Sequence, residues 1–231
     1  NPHAKRKIRK QVVMDFDSVP YPMKPIVPYI KATQDRVTLE IQRGCIRGCR
    51  FCQAGAIYRP TREKNVELMK QYALEMIKNT GHEEITLSSL SSSDYEGLPE
   101  LTEFLIEEMG KLKVNIALPS LRIDSFSLDV MKRVQDIKKS SLTFAAEAGS
   151  QRLRNVINKG LTEDMIREGA MKAFQGGWNK VKFYFMVGLP TETEEDLKAI
   201  PELCEQLAVD YYTIPKEERI GKVSITASSS F

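Results

Sequence analysis

Short β-branched segments alternate with longer helical segments from residue 36 onward, and few folds are compatible with that order. The predicted strands are residues 37–41, 84–90, 114–119, 142–148, 180–188 and 222–227. The predicted helices are residues 65–79, 98–113, 127–137, 150–174 and 193–208. Strict alternation favours parallel strands joined by right-handed crossovers, with helices covering the sheet. We therefore expect an α/β protein with a six-stranded, barrel-like (β/α) sheet, although periodicity does not determine whether the barrel closes.

Two helix starts are predicted from their capping residues. Thr162 suits an N-cap because acidic residues follow it in the first turn. Thr191 and Glu194 suit a capping box at the start of the last helix.

The first 35 residues differ in composition from the rest. They contain five of the eleven prolines, and proline disfavours both helices and central strands. We expect residues 1–35 to form an extended lead-in or linker and residues 36–231 to form the core domain. The basic run KRKIRK at 5–10 is interpreted as a solvated part of this linker, with contact to phosphates or acidic lipid as the alternative. Because the sequence has no initial Met and stops at Phe231 just after a strand-like run, we expect it to be a piece of a longer multidomain chain.

Composition limits the class of protein. The chain of 231 residues is 42% hydrophobic and 28% charged, which is typical of a globular protein with one substantial core. No apolar run approaches the roughly 20 residues that span a bilayer, and no signal segment opens the sequence. We therefore expect a cytoplasmic protein that does not enter a membrane. A net charge of +3 gives no strong overall attraction for nucleic acid, so nucleic acid is a weakly supported partner.

Three of the four cysteines lie in the stretch RGCIRGCRFCQAG at 43–55. Cys45, Cys49 and Cys52 follow the first predicted strand directly, and parallel α/β proteins place their chemistry at the carboxyl ends of strands. The glycines of this stretch give the backbone freedom to wrap closely around a bound group. In a chain of this length without secretory features, such cysteines favour metal binding or catalysis over a disulfide scaffold.

Several kinds of site compete for these thiols. Structural zinc takes four ligands, commonly Cys and His, but His3 and His82 lie far away in the sequence. Cys204 lies in a late helix and is interpreted as a small core residue. A disulfide would leave an odd thiol, whereas a cubane iron–sulfur cluster held by three thiolates keeps one iron free for a substrate or cofactor. We favour the cluster over zinc or no metal.

The pattern C-x-x-x-C-x-x-C after the first strand, with Phe51 before the last cysteine, resembles the radical S-adenosylmethionine (radical SAM) superfamily. The resemblance extends from Val37 to the end of the chain and implies a partial TIM barrel of six (β/α) units. It implies that Cys45, Cys49 and Cys52 form the catalytic metal centre and hold a [4Fe–4S] cluster whose free iron binds S-adenosylmethionine. Reductive cleavage of that molecule would give a 5′-deoxyadenosyl radical, which abstracts hydrogen from an unknown substrate.

The same resemblance implies which residues contact S-adenosylmethionine, and Phe51 is the first of them. After the second strand the superfamily usually has a glycine-rich turn that receives the methionine amino group. Here the stretch is SSLSSSD at 88–94, which departs from that pattern. Ser91 and Ser92 are the small residues that would still let the backbone approach, and an ordinary hydrophilic turn is the alternative.

The stretch AEAGSQRLRNVINKG after the fourth strand resembles the segment that binds the ribose and the methionine carboxylate. Glu147 is the predicted acceptor for the ribose hydroxyls. Lys159 is the predicted cation for the carboxylate, and a solvated lysine near a helix end is the alternative. Arg152 and Arg154 are weaker candidates for the same carboxylate.

The fifth strand ends in FMVGLPTETEEDL, where similar enzymes bring an apolar residue and a glycine against the adenine. Val187 and Gly188 are the matching positions, and the sixth strand would add backbone contacts. The stretches EIQRGCIRGCRFCQAG, EAGSQRL and GLPTETEEDL resemble the branch of the superfamily that includes cobalamin-associated and methylthiotransferase-like enzymes. More narrowly, they resemble a group of iron–sulfur oxidoreductases in which a cobalamin-binding-like domain precedes the radical domain.

The resemblance also implies an electron donor of the flavodoxin or ferredoxin kind and flanking domains outside this chain. Two other functions compete with a radical SAM enzyme. A non-catalytic electron-transfer module would need the cysteines but not Glu147, Lys159 and Val187. An RNA-modifying, methylthiotransferase-like enzyme would bind RNA with a steep salt dependence. On the resemblance, the radical SAM enzyme is the function that we expect. Its chemistry requires no conventional acid–base dyad, which suits a sequence in which no convincing Ser-His-Asp or paired-carboxylate arrangement stands out.

Overall fold

A computed structural model of the chain describes residues 6–30, 32–117, 123 and 142–231. The predicted helix at 127–137, the end of the predicted strand at 114–119 and His3 lie outside the described residues. The strands of the described part are β1 Val37–Glu40, β2 Gln42–Arg43, β3 Arg62–Glu63, β4 Glu84–Ser88, β5 Asn115–Ala117, β6 Leu142–Glu147, β7 Lys180–Met186 and β8 Ser224–Ser230.

Six of these strands form two parallel sheets. Strand β4 lies between β1 and β5 in one sheet, and β7 lies between β6 and β8 in the other. Leu39 is opposite Leu87 in the first sheet, and Phe183 is opposite Ala227 in the second. Within the first sheet, the connections between strands run through helices, as parallel pairing requires. The predicted α/β fold with a partial (β/α) barrel core is confirmed.

The short hairpin of β2 and β3 was not predicted. It pairs the two strands in antiparallel fashion, with Gln42 opposite Glu63 and Arg43 opposite Arg62. Each strand has two residues, which is too short to produce a hydrophobic periodicity in the sequence.

The helices of the described part are α1 Gln53–Ile57, α2 Val66–Thr80, α3 Leu98–Leu112, α4 Gln151–Val156, α5 Glu163–Gln175 and α6 Glu194–Thr213. The helical stretch predicted at 150–174 consists of two helices, α4 and α5, which agrees with the helix start predicted at Thr162. Asn158 and Gly160 adopt left-handed φ angles of 53° and 66° in the connection, and a helix cannot continue through such residues. None of the helices described is long and apolar enough to cross a bilayer.

The predicted N-cap is confirmed, whereas the predicted capping box was misplaced by two residues. Thr162 accepts a hydrogen bond from the Met165 N–H at 3.2 Å at the start of α5. The capping box of α6 is formed by Thr193 and Asp196, while Thr191 lies outside the helix with a φ of 67°. The stretch TETEED contains the Thr-x-x-acid pattern twice, so the pattern alone could not select the correct pair.

Each sheet has its own buried core. The first core joins β1, β4 and β5 to α2 and α3, and the second joins β6 and β7 to α5 and α6. Cys204 of α6 packs against the second core, and burial raises the pKa of its thiol. The interpretation of Cys204 as a core residue is confirmed.

The described part of the lead-in contains no helix or strand, yet it packs against the core domain. Phe16 is buried, and its ring centroid lies 4.3 Å from Lys64 Nζ. The Tyr21 hydroxyl donates to the Thr38 carbonyl and accepts from the Glu40 N–H, each at 2.8 Å. The lead-in therefore lies along β1 and the residues that follow β3.

Candidate functional site

The three cysteines of the motif lie in residues 44–61, which we call the cysteine loop. The loop connects β2 to β3, and one residue separates β2 from β1, so it emerges at the carboxyl end of β1. Gly44 has a left-handed φ of 96°, and a Cβ atom there would lie 2.7 Å from the Tyr58 carbonyl oxygen. Only glycine allows the two ends of the loop to approach this closely.

Backbone N–H groups donate to two of the three thiols. Cys52 is the N-cap of α1, and its Sγ accepts a hydrogen bond from the Gly55 N–H at 3.3 Å. The Cys45 Sγ accepts from the Arg47 N–H at 3.5 Å. Hydrogen bonds to the ligand sulfur atoms are one of the features that adjust an iron–sulfur centre. None of the cysteines forms a disulfide, so the loop presents thiols that are suited to metal ligation.

The three thiols of the cysteine loop can be compared with the ligands that zinc and a [4Fe–4S] cluster each require. Within the described ranges, no three His, Cys, Asp or Glu side chains converge on a point where one ion would bind. Structural zinc requires four ligands around one ion. In a cubane cluster each thiolate binds a different iron, and three cysteine ligands leave the fourth iron open. Three thiolates on one loop therefore fit the [4Fe–4S] cluster better than zinc.

The cysteine loop is joined to the segment that follows β6. The Arg50 N–H donates to the Ile157 carbonyl at 2.9 Å. The Asn158 Nδ2 donates to the Gly48 carbonyl at 2.9 Å, and the Arg50 guanidinium donates to the Val156 carbonyl. These bonds hold the backbone around Cys49 against the end of α4.

The same contact brings together three residues predicted to bind S-adenosylmethionine. Lys159 Nζ lies 3.0 Å from Glu147 Oε1 and 6.0 Å from the Phe51 ring centroid. Glu147 is the last residue of β6, and its φ of 67° lies in the left-handed region. Both side chains of the ion pair are largely buried. The structure thus places a carboxylate, an ammonium and an aromatic ring beside the cysteines.

The serine-rich turn after β4 is joined to the cysteine loop by an ion pair. Arg47 Nε donates to Asp94 Oδ2 at 2.8 Å, and the Asp94 side chain is only 5% exposed. Ser91 is buried, and its Oγ has no hydrogen-bond partner within the described part of the chain. The Ser92 Oγ lies 2.9 Å from the Ser89 Oγ. Because an unpaired buried hydroxyl is costly, Ser91 is the better candidate of the two predicted serines for a ligand contact.

A cavity of about 410 Å³ opens between the carboxyl ends of β1 and β4. Its lining includes Gln42, Gly44, Tyr58 and Ser89. The Gln42 Oε1 is buried without a hydrogen-bond partner among the described residues. The volume is in the range of small-molecule sites, and a few unpaired polar groups in such a cavity indicate a binding site. Gln42 was not predicted, since a single polar residue after a strand gives no distinctive signal.

Val187 and Gly188 lie at the same end of the second sheet as Glu147. They follow β7 directly, and Phe185 of β7 is opposite Glu147. The Val187 N–H donates to the Ser230 carbonyl at 2.9 Å, and the Gly188 N–H donates to Glu192 Oε2 at 2.7 Å. Their backbone contacts therefore go to β8 and the following turn rather than to the cysteine loop.

The two weaker candidates for the methionine carboxylate are engaged elsewhere. The Arg152 guanidinium forms an ion pair with Asp196, which strongly lowers the pKa of that carboxyl. Arg154 is fully buried and donates to the Ala148 and Gly149 carbonyls at 3.1 and 2.6 Å. Lys159 is the basic residue of this segment that lies beside the cysteine loop.

Comparison of the sequence with known proteins gives a family match. The model of the Radical SAM superfamily matches residues 39–204. Uncharacterized protein MJ0966 of Methanocaldococcus jannaschii is 41% identical over 187 residues, which are 81% of this chain and 39% of that protein. Threonylcarbamoyladenosine tRNA methylthiotransferase MtaB of Aquifex aeolicus is 24% identical over 215 residues, 89% of this chain and 49% of that protein. The chain thus spans less than half the length of either relative.

Two solved structures share the fold. One is the radical S-adenosylmethionine methyltransferase TsrM from Kitasatospora setae with tryptophan and a SAM analog bound. Its TM-score is 0.59 at 13% identity, over 75% of this chain and 34% of that chain. The other is the cobalamin-dependent radical enzyme OxsB with aqua-cobalamin and S-adenosylmethionine bound. Its TM-score is 0.58 at 16% identity, over 81% of this chain and 27% of that chain. At these identities the likeness concerns the fold alone.

Proposed function

Since this chain belongs to the radical SAM superfamily, we propose that it reductively cleaves S-adenosylmethionine at a [4Fe–4S] cluster to start radical chemistry on a further substrate. Members of this superfamily are enzymes, and membership supports an iron–sulfur cluster and S-adenosylmethionine as the cofactors of this chain. The sequence relationship to a methylthiotransferase supports the expected branch. Because the chain spans less than half of these relatives, the substrate and the complete reaction are part of the proposal.

In this proposal Cys45, Cys49 and Cys52 bind the cluster as thiolates. The N–H groups of Arg47 and Gly55 support the negative charge on two of the sulfur atoms. When bound, the cluster and S-adenosylmethionine together supply the radical chemistry, and the protein supplies placement and exclusion of water.

Three further side chains orient S-adenosylmethionine. The Lys159 ammonium binds the methionine carboxylate, and the Glu147 carboxylate accepts hydrogen bonds from the ribose hydroxyls. The Ser91 hydroxyl, which has no partner within the described part of the chain, donates to or accepts from the methionine end. Phe51 covers the same side of the site, since its ring faces the Lys159 ammonium.

The observation that carries this proposal is that the cysteine loop contacts both predicted binding segments. Arg47 of the loop bonds to Asp94 of the serine-rich turn. Arg50 and Gly48 of the loop bond to the segment that leads into Lys159. A module that only carried electrons would need the thiols, but it would not need these two segments around them.

The proposal is tested by anaerobic reconstitution with iron and sulfide, followed by electron paramagnetic resonance of the reduced protein. We expect a [4Fe–4S]⁺ signal that changes when S-adenosylmethionine is added, because the ligand binds the free iron. Cys45→Ala, Cys49→Ala and Cys52→Ala should each abolish the signal, while Cys204→Ala should retain it as the matched control. Full iron loading in Cys49→Ala would overturn the assignment of the three cysteines as cluster ligands. A paramagnetic resonance signal that does not change on addition of S-adenosylmethionine would favour an electron carrier.

A second candidate is an RNA-modifying methylthiotransferase. It is supported by the relationship to MtaB and by the basic run 5–10, whose last residue contacts the cysteine loop. This candidate predicts that RNA binding weakens steeply with salt and that incubation with RNA adds a methylthio group detectable by mass spectrometry. If RNA stays unmodified after incubation with a protein as long as the methylthiotransferase relatives, the RNA-modifying function is excluded.

A further inference from the structure

Glu147 and Lys159 bind each other in the structure, although each is assigned above to a different part of S-adenosylmethionine. The Lys159 Nζ lies 3.0 Å from the Glu147 Oε1, and the side chains are only 11% and 15% exposed, respectively. Solvent and salt screen such a pair much less than a surface pair. Removing one partner leaves the other charge in a poorly solvated place, which is costly. A ligand that separates the two side chains therefore has to offer a new partner to each.

The backbones of both residues are held in place. Glu147 ends β6 opposite Phe185 of β7, and its φ of 67° lies in the left-handed region. Lys159 follows Asn158, whose side-chain amide donates to the Gly48 carbonyl at 2.9 Å. The two charged groups therefore change partners by rotation of their side chains, and the backbone stays where it is.

The basic side chains nearby in the same segment have other acceptors. The Arg152 guanidinium pairs with Asp196, and the Arg154 guanidinium donates to the Ala148 and Gly149 carbonyls at 3.1 and 2.6 Å. An exchange of partners at the end of β6 therefore depends on Lys159.

S-adenosylmethionine carries both groups that such an exchange requires. Its methionine carboxylate is a partner for the ammonium, and its ribose hydroxyls donate to the carboxylate. Methionine alone has the carboxylate but no ribose, and 5′-deoxyadenosine has the ribose but no carboxylate. Methionine would also bring its negative charge close to that of Glu147, and like charges repel. Each fragment alone therefore compensates only one member of the pair.

We propose that the Glu147–Lys159 pair makes the site select intact S-adenosylmethionine over its two cleavage products. This rests on the proposed function, which assigns the carboxylate to Lys159 and the ribose to Glu147. Cleavage breaks the bond between the sulfonium sulfur and C5′ with one electron from the cluster and gives methionine and the 5′-deoxyadenosyl radical. That radical becomes 5′-deoxyadenosine when it takes a hydrogen atom from the substrate. Neither product alone keeps the two charges apart, so the pair forms again and favours release of both products.

The test measures the affinities of methionine, 5′-deoxyadenosine and S-adenosylmethionine by anaerobic calorimetry. The cluster-loaded chain is kept oxidised, so that no electron is available to cleave the ligand. The test variants Glu147→Gln and Lys159→Met each neutralise one member of the pair at similar side-chain length. Asp210→Asn is the matched control, because Asp210 forms a partly buried pair with Arg167 at 2.8 Å between the outer helices α5 and α6. Iron content and melting temperature verify that every variant is loaded and folded.

We expect the two test variants to respond in opposite ways. Glu147→Gln should bind methionine roughly tenfold more tightly than the wild type, because the ammonium no longer exchanges one carboxylate for another. The same variant should bind 5′-deoxyadenosine more weakly. Lys159→Met should bind 5′-deoxyadenosine more tightly and methionine more weakly. Asp210→Asn should match the wild type for all three ligands.

The losses and the gains of affinity test different statements. If each test variant loses affinity for the fragment assigned to the missing group but gains none for the other fragment, the selection by exchange is wrong and the proposed contacts stand. If neither variant loses affinity for either fragment, the contacts assigned in the proposed function are wrong, and the exchange is wrong with them. Gains of the same size in Asp210→Asn would also overturn the exchange, because that carboxylate lies outside the site.

Discussion

Glu147 has an unusual backbone conformation for a residue at the end of a strand. Its φ of 67° accompanies a shift in the pairing register of β6 after Ala145. A non-glycine residue in the left-handed region costs about 1 to 3 kcal/mol, and such residues cluster at binding sites. The ion pair with Lys159 at 3.0 Å holds the carboxylate in this position. A bound ligand therefore has to compete with an existing charge pair for both groups.

We predict that Lys159→Ala weakens S-adenosylmethionine binding by roughly ten- to a hundredfold while the cluster still assembles. The lost charge-assisted hydrogen bond is worth about 1.5 to 3 kcal/mol, and the variant also leaves Glu147 without its partner. Calorimetry would measure the affinity, and iron content would measure the cluster. Lys198→Ala is the control, because Lys198 pairs with Glu194 on the surface of α6. Unchanged affinity in Lys159→Ala would show that this lysine only pairs with Glu147 and does not bind the methionine carboxylate.

At the scale of elements, the lead-in completes the core domain. Lys64 is buried after β3, and its Nζ donates to the Phe16 carbonyl of the lead-in at 2.5 Å. Burial lowers the pKa of Lys64. The Phe16 ring lies against the same ammonium, so the lead-in supplies both the hydrogen bond and the aromatic contact of this buried cation.

Phe16→Ala should destabilise the protein by about 3 kcal/mol, because it removes a buried aromatic ring and leaves a cavity over Lys64. Urea unfolding followed by circular dichroism would measure the loss. Phe16 is 3% exposed and Ile26 is 97% exposed, so Ile26→Ala in the same lead-in is the matched control and should change stability little. Equal stability of Phe16→Ala and wild type would mean that the lead-in does not contribute to folding.

The start of α6 should make stability depend on pH. Arg152 and Ser150 lower the pKa of the Asp196 carboxyl well below its usual range, and the capping box adds to this effect. The carboxylate therefore stabilises the folded protein fully when the pH is above the pKa of Asp in the unfolded chain, near 3.9. This stabilisation is lost as the pH falls through the lower pKa that Asp196 has in the folded protein.

We predict that Asp196→Asn lowers the melting temperature at pH 7 and flattens its decline below about pH 4. Melting temperatures between pH 2 and pH 7 would measure this dependence. Asp164→Asn, in the first turn of α5, should keep the wild-type profile. If the melting temperature of Asp196→Asn falls at low pH as steeply as that of the wild type, other carboxylates control the loss of stability in acid.

At the scale of the whole molecule, the site is assembled from both sheets. The cysteine loop follows β1 of the first sheet, but its hydrogen bonds reach Ile157 and Asn158 after β6 of the second sheet. Arg47 joins the loop to the turn after β4. Correct placement of the thiols therefore depends on folding of both halves.

The reduced, reconstituted chain should slowly cleave S-adenosylmethionine to 5′-deoxyadenosine without its substrate, because a sulfonium bound beside a low-potential cluster needs only an electron. Chromatography after addition of dithionite would detect the product, and Cys52→Ala is the control for uncatalysed breakdown. If the chain binds S-adenosylmethionine but forms no product, the same assay on a protein of the relatives' full length distinguishes missing domains from a wrong assignment. An inactive full-length protein with an intact, reduced cluster would support the carrier function.

The sequence by itself determined the alternation of strands and helices, the place of Cys45, Cys49 and Cys52 after the first strand, and the core position of Cys204. These features depend on local periodicity and on the order of segments, and both can be read from the sequence. Some local patterns were ambiguous, and for that reason the capping box was predicted at Thr191 instead of Thr193.

Only the tertiary structure decided which of these segments meet. Arg47 and Asp94 are 47 positions apart, and Gly48 and Asn158 are 110 positions apart, so no periodicity relates them. The contact of Lys10 with the cysteine loop likewise joins segments that are separate in the sequence. Arg47 and Asp94 meet because the parallel strands β1 and β4 bring their carboxyl ends to the same edge of the first sheet. The other two contacts join the cysteine loop to the second half of the chain and to the lead-in, where backbone carbonyl groups accept hydrogen bonds from Asn158 and Lys10.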